Sequence, residues 1–123
     1  MAEMDEMELC CHGDYQHNLE PLETPSEDAI GLLADFYKIF GDKTRIRILY
    51  LLKNQDLCVC DLAECLGMTS PAVSHQLRIL KTNRLIKSKR QGKSMFYSLD
   101  DQHIHGILND GMTHVDEMSP QKR

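Results

Sequence analysis

The sequence has no run of ~18 apolar residues, the length needed to span a bilayer, which excludes a transmembrane helix as its organising element. It has no lysine or arginine before Lys38 either, and an acidic start is the wrong charge for a secretory signal. A cytoplasmic protein without a membrane partner is the expectation. No nucleophile stands near a base that could activate it, so the chain is not expected to be an enzyme or to take a small-molecule substrate. The five cysteines are an odd number, so no scheme of intrachain disulfides pairs them all, and a cytosolic setting keeps them reduced.

What is present must share one fold, since 123 residues bury one modest core. The expected division is a flexible acidic arm over 1–25, carrying Cys and His, a folded domain over 26–118 and a short tail over 119–123. The net charge of −5 argues against nucleic acid when taken whole. Its distribution reverses that reading. From Lys43 to Lys93 there are eleven basic residues against three acidic ones, Asp56, Asp61 and Glu64. A basic middle between acidic flanks fits a polyanion met by one surface only, although a merely solvated basic face has the same composition.

Helical spacing organises that middle. Ser26 is placed to cap a first helix, in which Ile30, Leu33, Phe36, Tyr37 and Phe40 recur on one side and which Gly41 closes. Asp42 is placed to cap a second, with Ile46, Leu49, Tyr50 and Leu52 pointing inward. From Asp61 the chain reads as two short helices around a tight turn at Gly67, with Ala63 and Val73 at their contact, the helix-turn-helix pattern. Ser70 before Pro71 suits a helix start, because serine accepts an orphan N–H and proline has none to leave unpaired. Along this helix Val73, Leu77 and Leu80 form the buried stripe. Ser70, Ser74, His75, Gln76 and Arg78 are then the candidates for contact with DNA bases and phosphates.

After Arg84, LIKSKRQGKSMFYSL reads as two strands joined at Gln91-Gly92, with Lys89, Arg90 and Lys93 on or near the tip. A basic hairpin directly after a helix-turn-helix is a wing. Asp100 is placed to cap a last helix running to about Met118. The fold class expected is therefore mainly α with a small β-hairpin wing, a winged helix-turn-helix.

Two sets of residues suit a metal. Asp101, His103, His114 and Glu117 on the last helix offer two carboxylates and two imidazoles, a tetrahedral set for zinc. His103 and His114 lie almost on one helix face but ~16 Å apart, so one ion cannot bridge them. Two such helices packed antiparallel across a two-fold axis would bring each half to the partner's other half, so this site predicts a homodimer with two equivalent sites. Asp101 converges with His103 only if the chain is still turning at the helix start. Ordinary polar groups on an exposed helix are the plainer account, and His105, off this face, is expected to be solvent-exposed.

The second set is Cys58 and Cys60 before the first helix of the DNA-binding motif, where a helix N-terminus favours negative charge. Cys10 and Cys11 on the arm are the expected donors to complete it, with His12 or His17 as extras. Sulfur-rich ligands prefer cadmium, lead or zinc. The plainer account makes Cys58 and Cys60 small half-buried residues. Cys65, between Leu62 and Leu66, is expected in the core.

Over roughly Ala29 to Glu117 the chain resembles the ArsR/SmtB family of metal-sensing repressors. The resemblance is carried by LCVCDLAECLGMTSPAVSHQLRILK, by KRQGKSMFYSL, and by the spacing of DDQHIHGILNDGMTHVDE. It implies a winged-helix homodimer joined through its first and last helices, bound to an imperfect inverted repeat of operator DNA. It implies that the metal-free form represses genes of metal efflux or sequestration and that zinc, cadmium or lead weakens the complex. Two other functions fit the same residues. A repressor switched by arsenite or oxidation at Cys58 and Cys60 would ignore the loss of Asp101 and His103; a metal-stabilised interaction module without an operator would unfold on chelation.

Overall fold

The computed structural model describes residues 22–118, in which eight elements follow one another. They are α1 (Glu27–Ile39), α2 (Lys43–Leu52), β1 (Leu57–Cys58), α3 (Val59–Leu66), α4 (Ser70–Thr82), β2 (Ile86–Gln91), β3 (Ser94–Leu99) and α5 (Gln102–Met118). Among the described residues no helix is long and apolar enough to cross a membrane. The arm residues Cys10, Cys11, His12 and His17, and the tail 119–123, lie outside the described residues.

Local chemistry sets most boundaries. Ser26 Oγ accepts from the Ala29 N–H at 3.2 Å, and Glu27 and Asp28 put negative charge in the first turn of α1, where the helix dipole favours it. Asp42 caps α2 by accepting from the Arg45 N–H at 3.1 Å. At the end of α3, Gly67 takes φ 65°, the left-handed geometry that glycine adopts without strain, and so turns the chain into the next helix.

Four boundaries differ from expectation by one or two residues. Thr69, not Ser70, caps α4: its hydroxyl accepts from the Ala72 N–H at 3.2 Å, and Pro71 sits inside the first turn. The wing turns at Gly92-Lys93 and not at Gln91-Gly92, because Gln91 still pairs with Ser94; Gly92, at φ 63°, takes the first turn position, as glycine does in a II′ hairpin. Asp101, not Asp100, caps α5: its Oδ1 accepts from the N–H groups of His103 at 2.9 Å and Ile104 at 3.3 Å. The helix-turn-helix also begins earlier than Asp61, with α3 starting at Val59.

The sheet has one strand more than the hairpin. Leu57 and Cys58 pair antiparallel with Tyr97 and Phe96, giving the order β1-β3-β2 and fastening the wing to the start of α3. The core is apolar throughout: Ile48, Leu49 and Leu52 of α2, Leu62 of α3, Val73, Leu77 and Leu80 of α4, then Leu57, Leu85, Ile86, Leu99, Ile104 and Leu108. Each side chain so removed from water contributes on the order of 1.5–3 kcal/mol before the entropy of ordering is subtracted.

Helix α1 buries no residue against this core, and Phe36, Ile39 and Phe40 reach it only in part. Ile46 and Tyr50, expected inside, are half-buried. Cys65 corrects its expectation outright, being exposed, because α3 packs through Leu62 while Cys65 points away. His105 is half-buried and not solvent-exposed; it lines a polar cleft with the turn after α2 and the back of the wing, among them Lys53, Asp56, Lys87 and Ser98.

Candidate metal and nucleic-acid sites

Helix α4 carries the residues expected to meet DNA. With Val73, Leu77 and Leu80 buried, Ser70, Ser74, His75 and Arg78 are exposed, whereas Gln76, ~200° around the helix from both Ser74 and Arg78, is half-buried at the other edge of the buried stripe. Helix period explains the split, since residues at i, i+4 and i+7 turn inward together. Lys89, Arg90 and Lys93 on the hairpin are exposed as well. Two positioning interactions escaped the sequence. Lys81 Nζ donates to Ser88 Oγ at 2.6 Å, tying the last turn of α4 to the wing. Arg45 Nε donates to the Ile39 carbonyl at 2.9 Å while its Nη1 donates to Gln76 Oε1 at 3.4 Å, joining the end of α1 to α4. A rotamer-level meeting between elements thirty-one residues apart leaves no local signal, although the inward alternation of Ser88 on β2 does place it toward α4.

At the start of α5 the Asp101 carboxylate stands against the His103 ring, with Oδ2 3.2 Å from Nδ1. The capping role of Asp101 is what turns its side chain back toward His103. That hydrogen bond, followed by those from the helix backbone, holds the Asp101 carboxyl below the usual carboxylate range. Both side chains are open to solvent, His103 at 88% and Asp101 at 47%. His114 and Glu117 lie farther along the same helix, three residues apart and exposed, so they share a face one turn long. Among the described residues no three of His, Cys, Asp and Glu converge on one point. Asp101 and His103 are brought together within the chain, whereas His114 and Glu117 stand at the other end of α5.

The thiols Cys58 and Cys60 straddle the start of α3. Cys58 is its half-buried cap residue, with the backbone N–H donating to Asp61 Oδ2 at 3.4 Å, and Cys60 is exposed.

A third feature is apolar. Between α1 and α5 runs a groove of about 290 Å³ lined by Tyr37, Phe40, Ile46, Tyr50, Ile107 and Met112 among others. Val115, which also lines it, is exposed, as are Ile30 and Leu33 on α1. Tyr50 braces its floor by donating from its hydroxyl to the Leu108 carbonyl at 2.8 Å. Burial, and then the nearby Asp116 carboxylate, push the Tyr50 phenol above its usual 10.0.

Against known proteins, the sequence pattern described as "Bacterial regulatory protein, arsR family" matches residues 42–88, which hold α2 through the first half of β2. The chain is 38% identical over 117 residues to the transcriptional repressor SmtB homolog of Synechocystis sp., covering 92% of this chain and 88% of that one. It is 35% identical to the cadmium resistance transcriptional regulatory protein CadC homolog of Staphylococcus aureus, over 71% of this chain and 73% of that one. Among solved structures it resembles the AntR antimony-specific transcriptional repressor, with a TM-score of 0.71 at 27% identity, covering 89% of this chain and 99% of that one. The helix-turn-helix, the wing and the flanking helices all fall within these matches, and the chain belongs to the ArsR/SmtB family of winged helix-turn-helix transcriptional regulators, proteins that control transcription and are not enzymes.

Proposed function

We propose that this protein is a metal-responsive transcriptional repressor: a metal-free homodimer holds an inverted repeat of operator DNA and releases it on binding zinc, cadmium or lead. Derepressed genes of metal efflux or sequestration would be the output. The observation that carries the reading is the Asp101–His103 pair. Its 3.2 Å O···N separation matches the edge of a tetrahedral zinc site, ~3.3 Å for ligand bonds near 2.05 Å. A cation can therefore sit against both ligand atoms without moving either side chain far. His114 and Glu117 of a second subunit, running antiparallel, supply the other two corners.

The apolar groove supports assembly through α1 and α5, because Tyr37, Met112 and Val115 along it stay exposed among the described residues. For the DNA complex, Arg78, Lys89, Arg90 and Lys93 supply phosphate attraction and its salt dependence, and Ser70, Ser74, His75 and Gln76 supply base and backbone contacts. A cytoplasmic setting accords with this role. The test is a titration of the dimer bound to its own promoter DNA with zinc, cadmium and lead. Release by at least one, abolished by Asp101→Ala with His103→Ala, supports the reading; DNA binding indifferent to all three ions sinks it.

The thiols favour a second reading with the same fold. Cys58 and Cys60 at the head of α3 would take a thiophilic inducer such as arsenite or cadmium together with Cys10 and Cys11 of the arm, and one structural relative is named as antimony-specific. Under that reading the Asp101 and His103 replacements leave release intact, and Cys58→Ser with Cys60→Ser abolishes it.

A further inference from the structure

Helix α5 carries both halves of the proposed cation site, and an ion there reaches the DNA-binding helices of its own chain through whatever ties α5 to the rest of the fold. Two kinds of contact do so. Ile104 and Leu108 are buried in the common core. Two side-chain hydrogen bonds cross from α2: Tyr50 Oη donates to the Leu108 carbonyl at 2.8 Å, and Lys53 Nζ donates to Asn109 Oδ1 at 2.5 Å. The Lys53 ammonium also lies 5.2 Å from the centre of the Tyr50 ring, so the two donors brace each other.

Apolar contact is non-directional, so a helix held by it alone slides or rolls at little cost. A hydrogen bond weakens steeply as its length and angle depart from ideal. Tyr50 and Lys53 stand three residues apart on one face of α2, and their acceptors are consecutive residues of α5. Two such points fix both the slide and the roll of α5 on α2. Their place along α5 matters as well, because residues 108 and 109 lie midway between His103 and His114, ~8 Å along the axis from each. An ion closing at either end therefore loads the same joint. On its other side α2 buries Ile48, Leu49 and Leu52 in the core that also holds Val73, Leu77 and Leu80 of α4.

We propose that Tyr50, Lys53 and Asn109 are positioning residues that make α2 follow α5, so that metal at α5 changes the grip of α4 on DNA; this rests on the metal-responsive reading above. The experiment measures the affinity of the full-length dimer for its promoter DNA with and without zinc, cadmium or lead. It compares the intact chain, Tyr50→Phe, Asn109→Ala and the two combined, alongside metal titrations without DNA. The ratio of the two DNA affinities is the coupling, and it reads only what metal changes. One hydrogen bond passes on no more than it is worth, up to ~10-fold in an equilibrium constant. Each substitution should shrink the ratio several-fold, and the combined variant should bring a ~100-fold metal effect below ~10-fold. Metal-free DNA affinity and metal affinity should stay near the intact values. Lys53→Met breaks the Asn109 bond from the other side, so it should lose about as much coupling as Asn109→Ala and add nothing to it. Should the combined Tyr50 and Asn109 variant fail to fold, that second pair carries the test.

A ratio unchanged in the combined variant would overturn the proposal, and so would losses from Lys53→Met and Asn109→Ala that simply add. A merely structural role would weaken DNA binding alike with and without metal and leave the ratio alone. A different failure would be an intact chain whose DNA affinity ignores all three ions, or one whose full response survives Asp101→Ala with His103→Ala. Either result removes the reading of α5 as the sensor, and the proposal falls with it.

Discussion

Leu33→Glu isolates the apolar seam. Leu33 sits on α1, is 49% exposed and packs into no buried cluster, so its loss leaves the monomer's core untouched. Glutamate is nearly as good a helix former as leucine, and α1 should keep its shape. In a dimer closed through α1 and α5 the exposed half of Leu33 is covered, contributing ~1 kcal/mol per copy, half of a full leucine burial. Two-fold symmetry counts every change twice. Removing that burial costs ~2 kcal/mol per dimer, and desolvating two unpaired carboxylates costs several more, so a total of about 5 kcal/mol is expected. That weakens dimerisation several-thousandfold, by about a decade per 1.4 kcal/mol. Sedimentation velocity over a concentration series reads the change directly, and circular dichroism checks that the monomer stays helical. Leu33→Ala, lacking the charge, should weaken the dimer only by about 30-fold for its ~2 kcal/mol. A Leu33→Glu protein that dimerises as tightly as the parent would show that this face is not the seam.

Tyr50→Phe removes the 2.8 Å bond to the Leu108 carbonyl and should cost about 1 kcal/mol of stability in denaturant unfolding at neutral pH. Because the folded protein raises the Tyr50 phenol above 10.0, its contribution is complete below that pH and is lost as pH rises through the raised value. The parent should therefore lose stability in strong alkali by more than Tyr50→Phe does, and equal losses would contradict the assignment. On the wing, replacing Lys89, Arg90 and Lys93 one at a time by Gln should each flatten the salt dependence of DNA binding by ~0.9 for every phosphate no longer neutralised, measured as log affinity against log salt. Slopes that do not move would place the hairpin off the DNA.

Much of this fold can be read from residue order because its signals are local and repeated. The 3.6-residue recurrence of Val73, Leu77 and Leu80 puts those three side chains in the core whatever surrounds them. The differences fall where two adjacent residues offer the same chemistry. Thr69 and Ser70 both carry capping hydroxyls, and Asp100 and Asp101 both carry capping carboxylates; the packing of the preceding turn decides between them, and that information is not local. Strand β1 is two residues long, too short to have a period, and exists only because β3 lies beside it. Cys65 reads as internal between two leucines, yet α3 presents only Leu62 to the core as a fully buried side chain. Of the metal-ligand candidates, the Asp101–His103 convergence is legible once Asp101 is placed at a helix start. The hold of Arg45 on Gln76 is not, since it joins residues that only the tertiary fold brings together.

The sensor stands or falls on whether one cation is held by residues of two chains. Two variants, one with Asp101→Ala and His103→Ala, the other with His114→Ala and Glu117→Ala, should each bind no zinc at α5 as homodimers. Both would be made in a background with Cys58→Ser and Cys60→Ser to silence the thiols. Unfolded together and refolded as a mixture, they should form heterodimers in which one site has lost all four ligands and the other has kept all four. Competition titration with a chromogenic zinc chelator should then find one tight site per heterodimer, regained from two inactive parents. If the heterodimer binds no more zinc than either parent, no ligand set is shared between subunits and the proposed sensor has lost its cage.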